Sequence, residues 1–173
     1  MKFISLFFTI AVMVTIFLFS AQSSHASNKL SGKIVGIDIK IFLPNYDKLP
    51  YEKQQEIKDK ITLVVRKTAH FTEFAILGFF LMIHLLSYNK PNIKYFNRKM
   101  FICAFISLIV GVLYAFSDEI HQMFVTDRYS SIYDVMIDSS GVLFGIVVLI
   151  LILPLFYKNS FNSFFIKPQT SKP

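Results

Sequence analysis

The chain has one cysteine, no tryptophan, and only six glycines and six prolines in 173 residues. A lone thiol, Cys103, set in an apolar run, excludes an intramolecular disulfide framework and a cysteine-based metal site; there it acts as a small hydrophobe. Charge is also scarce, at 17% of residues against 54% apolar, and the mean hydropathy is +0.53. These values lie outside the range of ordinary soluble domains and imply a membrane protein. Acids number 11 against 18 bases, a formal charge of +7. In so apolar a chain this charge suits anionic lipid head groups, and nucleic-acid binding is not expected. There is no internal repeat and no low-complexity tract. The 20 phenylalanines read as lipid-facing packing.

Crossing roughly 30 Å of hydrocarbon takes a helix of about 20 residues. Four segments meet or approach that length: 3–19, about 69–88, 100–116 and about 137–157. The expected fold is therefore an all-α membrane protein, a single domain over 1–173 built as a bundle of about four transmembrane helices. Asn89-Lys90-Pro91-Asn92 separates the second span from the third, and Pro154 falls near the end of the fourth, where helix disruption costs least. The first segment also has features of a secretory signal, with Lys2 before the apolar run and Ser24-His25-Ala26 after it. Its run of 17 residues exceeds the usual signal core of about 7 to 15, which favours a retained helix.

Short loops rich in lysine and arginine stay in the cytoplasm. The 89–100 loop carries Lys90, Lys94, Arg98 and Lys99 without an acid, and the tail carries Lys158, Lys167 and Lys172. Both are expected inside, with the N-terminus, in a multi-pass membrane protein. The outer loop, 22–67, weakly opposes this sidedness, with nine bases against five acids, but its length reduces its weight. Within it, "GKIVGIDIKIF" suggests an extended piece. From Tyr51 to Thr68, apolar residues recur at helical spacing beneath a charged face, suggesting an interfacial or solvated helix leading into the second span. The tail "FNSFFIK" suits the inner membrane surface.

The polar residues concentrate at one membrane level. In "RKTAHFTEFAILG", Arg66, His70, Glu73 and Leu77 fall within a sector of roughly 60° on a helix turning about 100° per residue. In "SDEIHQ", Asp118, His121 and Gln122 share one side at i, i+3, i+4. Asp134, Asp138, Gly141 and Gly145 repeat the 4, 3, 4 spacing, with acids above and glycines below, and such glycines let another helix approach closely. Buried ionisable groups in a membrane are costly singly and mark functional sites. The structural alternative is that Arg66 or Arg128 pairs with Asp118, Asp134 or Asp138 merely to hold the bundle. His84, alone near the inner end of its span, reads as a packing histidine; Lys67, Lys99 and Lys158 can snorkel.

Together, "RKTAHFTEFAILG" and "SDEIHQMFVTDRYSSIYDVMIDSSGVLFG", with "FLFSAQ" closing the first span, resemble the VanZ-like family of small bacterial membrane proteins over about residues 10–150. The resemblance implies polar family positions at Arg66, Lys67, His70, Glu73, Asp118, Glu119, His121, Gln122, Arg128 and Asp134. Two positions depart from the pattern: Asp138 stands where relatives usually have asparagine, and Asp127 where a glycine often precedes the arginine. The added negative charge leaves two alternatives, that the cluster binds the family's ligand equally well or that it favours a cation instead. The resemblance also implies a link to teicoplanin resistance, hence to the cell envelope.

Three functional classes follow. The first is an enzyme-like site on a lipid-linked envelope molecule, with His70 or His121 as acid or base, Glu73, Asp118 and Glu119 tuning them, and Arg66 or Arg128 holding an anionic group such as a phosphate. A variant of it places a divalent cation on Glu73, Asp118, Glu119 and a histidine, although no recognised metal-site spacing is present. The second is a non-enzymatic binder of membrane lipid or of the antibiotic's lipid anchor, using Arg66, Lys67, Gln122, Arg128, Asp134 and Asp138. A transporter or proton relay is third, disfavoured by polar residues at a single level and the lack of a paired half-repeat. The sequence leaves any cofactor unspecified.

Overall fold

A computed structural model describes residues 2–23, 45–88, 96–126, 128 and 130–165, with side chains described except in 96–97 and 154–165. The chain forms helices α1 (Lys2–Ser20), α2 (Tyr51–Ser87), α3 (Phe96–Gln122) and α4 (Ile132–Phe165), with a short 3-10 turn at Tyr46–Lys48 before α2. No strand occurs among the described residues. Four helical segments are long and apolar enough to cross a membrane: Lys2–Ser20, Tyr51–Ser87, Arg98–Gln122 and Ile132–Leu153. The extended piece expected near residues 32–42, most of the basic 89–95 loop, Asp127 and the end of the tail lie outside the described residues.

Helix α2 is the hub. It packs against each of the other three helices, most extensively against α4. Its 37 residues, at about 1.5 Å each, span roughly 55 Å, well beyond the ~30 Å of hydrocarbon. The helix expected over 51–68, leading into the second span, is thus the first half of one continuous helix. The cause is local: no glycine or proline falls between Tyr51 and Leu77, so nothing interrupts the hydrogen-bond ladder. Helix α4 likewise continues beyond Pro154 to Phe165.

The core is a seam through the bundle. Phe74, Leu77, Leu81 and Met82 of α2 meet Val135, Val142, Ile146 and Leu149 of α4, with Ala115 of α3 and Ile16 of α1 closing the sides. Outward-facing residues are just as apolar: Phe3, Phe7, Phe101, Phe105, Leu113, Phe116, Phe144 and Leu151 are all exposed. A soluble protein rarely presents so continuous an apolar surface, whereas lipid tails solvate it readily. The protein is therefore an integral membrane protein. Since lipid is as apolar as leucine, helix association rests on close packing and hydrogen bonds, not on hiding greasy surface from water.

That packing is closest at the glycines. A Cβ on Gly141 would collide with the Phe71 carbonyl of α2, one on Gly145 with the Ala75 carbonyl, and one on Gly78 with the Val142 backbone. The two backbones touch directly, as the small-residue spacing in α4 implied. At the opposite end from the polar cluster, Ser5 of α1 and His84 of α2 hydrogen-bond at 3.1 Å, and Lys2 lies over the Tyr88 ring, so His84 is a packing residue.

Replacing Gly145 by leucine must push α4 off the Ala75 carbonyl, which cannot yield as a flexible side chain would. The expected loss is about 1–3 kcal/mol or more in reversible unfolding from detergent or nanodiscs, whereas Phe144→Leu on the lipid-facing surface should change stability by well under that.

Candidate functional site

One end of the bundle gathers polar residues from all four helices. Helix α1 ends at Ser20, α3 ends at Gln122, α4 begins at Ile132, and α2 passes this level in mid-course. The centre is Asp118, only 3% exposed. Ser20 Oγ and Gln122 Nε2 both donate to its Oδ2 at 2.7 Å. The amide of Gln122 is fixed from its other side, because Arg128 Nη1 donates to Gln122 Oε1 at 3.0 Å. With the oxygen committed to a cation, the amide NH2 must face the carboxylate.

Arg128 has a second task. Its Nε donates to the Gln22 carbonyl at 3.0 Å and its Nη2 to the Phe19 carbonyl at 3.3 Å. These belong to the last turn of α1 and the residues just past it, where helix carbonyls lack partners and a cation is favoured. Burial draws the Arg128 guanidinium below its ordinary pKa, and nearby Arg66 adds to the effect; Asp118, Glu119 and Glu73 oppose it.

The two ends of the α3–α4 loop are joined by Glu119, whose Oε2 accepts the Ser131 backbone N–H at 2.9 Å. Ser131 in turn caps α4, its Oγ accepting the Tyr133 N–H at 3.2 Å. One turn into α4, Asp134 pairs with Lys67 of α2 at 2.5 Å. Lys67 thus does more than snorkel. Both partners remain about one-third exposed, and so open a pair contributes at most about 1 kcal/mol.

Below that pair, His70 of α2, Asp118 of α3 and Asp138 of α4 bring one ligand-capable atom each within 4.8 Å of one another. The metal set expected from sequence is not the one drawn together: Glu119 is occupied at Ser131, and Asp138 takes its place beside His70. His121 lies apart, its ring stacked on Phe17 at 4.4 Å. The expected ion pairs of Arg66 or Arg128 with aspartate do not occur among the described residues; Lys67–Asp134 is the interhelical pair.

Several polar atoms here are buried without a partner among the described residues: His70 Nδ1, Glu73 Oε2 and His121 Nε2. Each such atom costs roughly 1–3 kcal/mol of lost solvation. The occurrence of His70 and Glu73 on one helix face beside the buried Asp118 marks a polar chamber where something other than the fold has set the residue types. The serine closing α1 was the participant that motif reading missed. Ser20 ends an apolar run in "FLFSAQ", and only the packing of α1 on α3 reveals its partner.

The fold and this chamber define a small multi-pass membrane protein with a buried acid, histidine and amide cluster at one end of a four-helix bundle. The VanZ/LLP1 family model matches residues 5–153, which include α2, α3, most of α1, α4 as far as Leu153 and every residue of the cluster, and the chain belongs to that family. No curated protein and no solved structure matches it.

Gln122 links Asp118 to Arg128, so Gln122→Leu removes a donor from Asp118, which keeps Ser20, and an acceptor from Arg128, which keeps the Phe19 and Gln22 carbonyls. The expected cost is about 1–3 kcal/mol, against no more than about 1 kcal/mol for Lys67→Met, in parallel unfolding measurements in nanodiscs.

Proposed function

We propose that this protein acts at the outer face of the bacterial plasma membrane, where its polar chamber engages an amphiphilic envelope molecule and so alters susceptibility to teicoplanin-type glycopeptides. The observation that carries the reading is the chamber's construction. Four helices contribute to it, its carboxylates are deeply buried, and His70 and Glu73 each keep a polar atom without a protein partner. Sidedness rests on charge: the basic residues at 90–99 and beyond 157 favour the cytoplasm for the opposite end. Membership of the VanZ/LLP1 family supports the link to glycopeptides.

Two modes of action share this site. In the first, the chamber binds a membrane lipid or lipid-linked precursor, with Arg66, Lys67 and Arg128 near its anionic group, and drug access changes as a result. In the second, His70 moves a proton to or from the bound molecule; its position beside Asp118 and Asp138 favours it over His121, whose ring is stacked on Phe17.

Teicoplanin susceptibility should be measured in cells carrying wild type, His70→Gln, His121→Gln, Asp118→Asn or His84→Gln at equal membrane abundance. Asp118→Asn is expected to abolish the effect and His84→Gln to leave it intact. Loss with His70→Gln supports proton transfer, and full activity selects simple binding. Susceptibility unchanged by the wild-type protein itself removes the glycopeptide reading.

A further inference from the structure

His70, Asp118 and Asp138 come from three different helices, yet each offers a ligand atom within 4.8 Å of the others. Asp138 is only 2% exposed, and no hydrogen bond to its carboxylate occurs among the described residues. Asp118 is equally enclosed, and both of its donors, Ser20 and Gln122, approach Oδ2, leaving Oδ1 without a hydrogen bond among those residues. His70 Nδ1 is buried without a partner. A site whose function is only structural satisfies its buried groups; here an imidazole nitrogen without a partner among the described residues belongs to the same group as two buried carboxylates.

Electrostatics sharpen the point. Asp118 and Asp138 are both almost wholly buried and close together, so their negative charges repel, and a cation between them would turn that repulsion into attraction. Arg128 is engaged elsewhere, because each of its three nitrogens donates to Gln122 Oε1 or to the Phe19 or Gln22 carbonyl. Lys67 is taken by Asp134. A divalent ion would cancel both charges at once and give the histidine a partner.

We propose that His70, Asp118 and Asp138 form a binding site for one divalent transition-metal cation. Bonds of roughly 2.0–2.2 Å to nitrogen and oxygen place tetrahedral ligands about 3.4 Å apart, so side-chain rotations that bring the atoms together by up to about an ångström or slightly more close the site. One imidazole with two carboxylates suits zinc or manganese; an all-oxygen set would suit magnesium or calcium. Three protein ligands leave further coordination positions for water or for an oxygen of a bound anionic molecule, the arrangement of a reactive metal and not of a purely structural one. The Gln122 and Ser20 hydrogen bonds would hold the Asp118 carboxylate with its bare oxygen facing the ion.

The proposal takes the chamber as the functional centre, as does the reading above, but metal content is measured apart from drug susceptibility, so either can fail alone. Protein purified from membranes through a histidine-free tag is stripped with chelator, then equilibrated with Zn2+, Mn2+ or Mg2+ separately. Elemental analysis should find about one zinc or manganese ion per chain in wild type and in His84→Gln, with magnesium not retained. His70→Ala and Asp138→Asn should weaken retention on the order of tenfold or more. The bound ion should raise the unfolding temperature of the wild type and not of these two variants, which separates ligand loss from misfolding. Absence of a stoichiometric ion in the wild type overturns the proposal, and so does retention undiminished in both variants. If a variant fails to accumulate, the wild-type stoichiometry decides.

Discussion

The backbone-to-backbone contact between α2 and α4 is the constraint on which the rest of the molecule depends. Gly141 seats against the Phe71 carbonyl and Gly145, one turn on, against the Ala75 carbonyl, while Gly78 of α2 receives Val142 in return. Contacts this close allow essentially one register. That register places Asp138, just under a turn before Gly141, beside His70, which immediately precedes Phe71. Moving α4 by one turn along α2, about 5.4 Å, would carry the aspartate away from the histidine and break the Lys67–Asp134 pair at the rim. The glycines at the bilayer level thus determine the chemistry nearer the surface.

The second layer of organisation is polar. Asp118 is placed by α3, but its orientation is fixed from α1 by Ser20 and from its own helix by Gln122, which is itself held by Arg128. Arg128 reaches back to the end of α1, so the chain's first helix is bound into the chamber at the far end of an extended set of hydrogen bonds. Such a network is worth most when every member is satisfied. Among the described residues it is satisfied on the outside and left open on the inside, at His70 and Glu73. Stability comes from the perimeter, and the interior retains groups that the fold alone would not select.

Much of this was legible in the sequence because membranes impose strong rules. Apolar length gave the four spans, and the 4, 3, 4 spacing placed Asp134, Asp138, Gly141 and Gly145 on a common face, which the structure packs against α2. The helical period also put Arg66, His70 and Glu73 on one wall. Other features were not legible, since they depend on tertiary choice. Periodicity finds amphipathic residues 51–68 but does not say whether a helix bends before the apolar run, and α2 does not. Charge pairing is underdetermined by sequence when arginine and lysine are adjacent: Lys67, not Arg66, lies on the α4 side and takes Asp134. Glu119 looked like a metal ligand because it neighbours Asp118, but adjacent helical positions diverge by about 100°, and it turns instead to the start of α4. Ser20 carried no signal beyond ending an apolar run.

The register claim is tested most directly by proximity in native membranes. In a Cys103→Ser background, cysteines placed at positions 70 and 138 should join through a short thiol cross-linker, detected after proteolysis within the α3–α4 loop, and the pair at 84 and 138 should not. Failure of the 70 and 138 pair to join, with efficient joining of 84 and 138 or of neither, would mean that α2 and α4 do not meet at Gly141 and Gly145, and the chamber would have no basis.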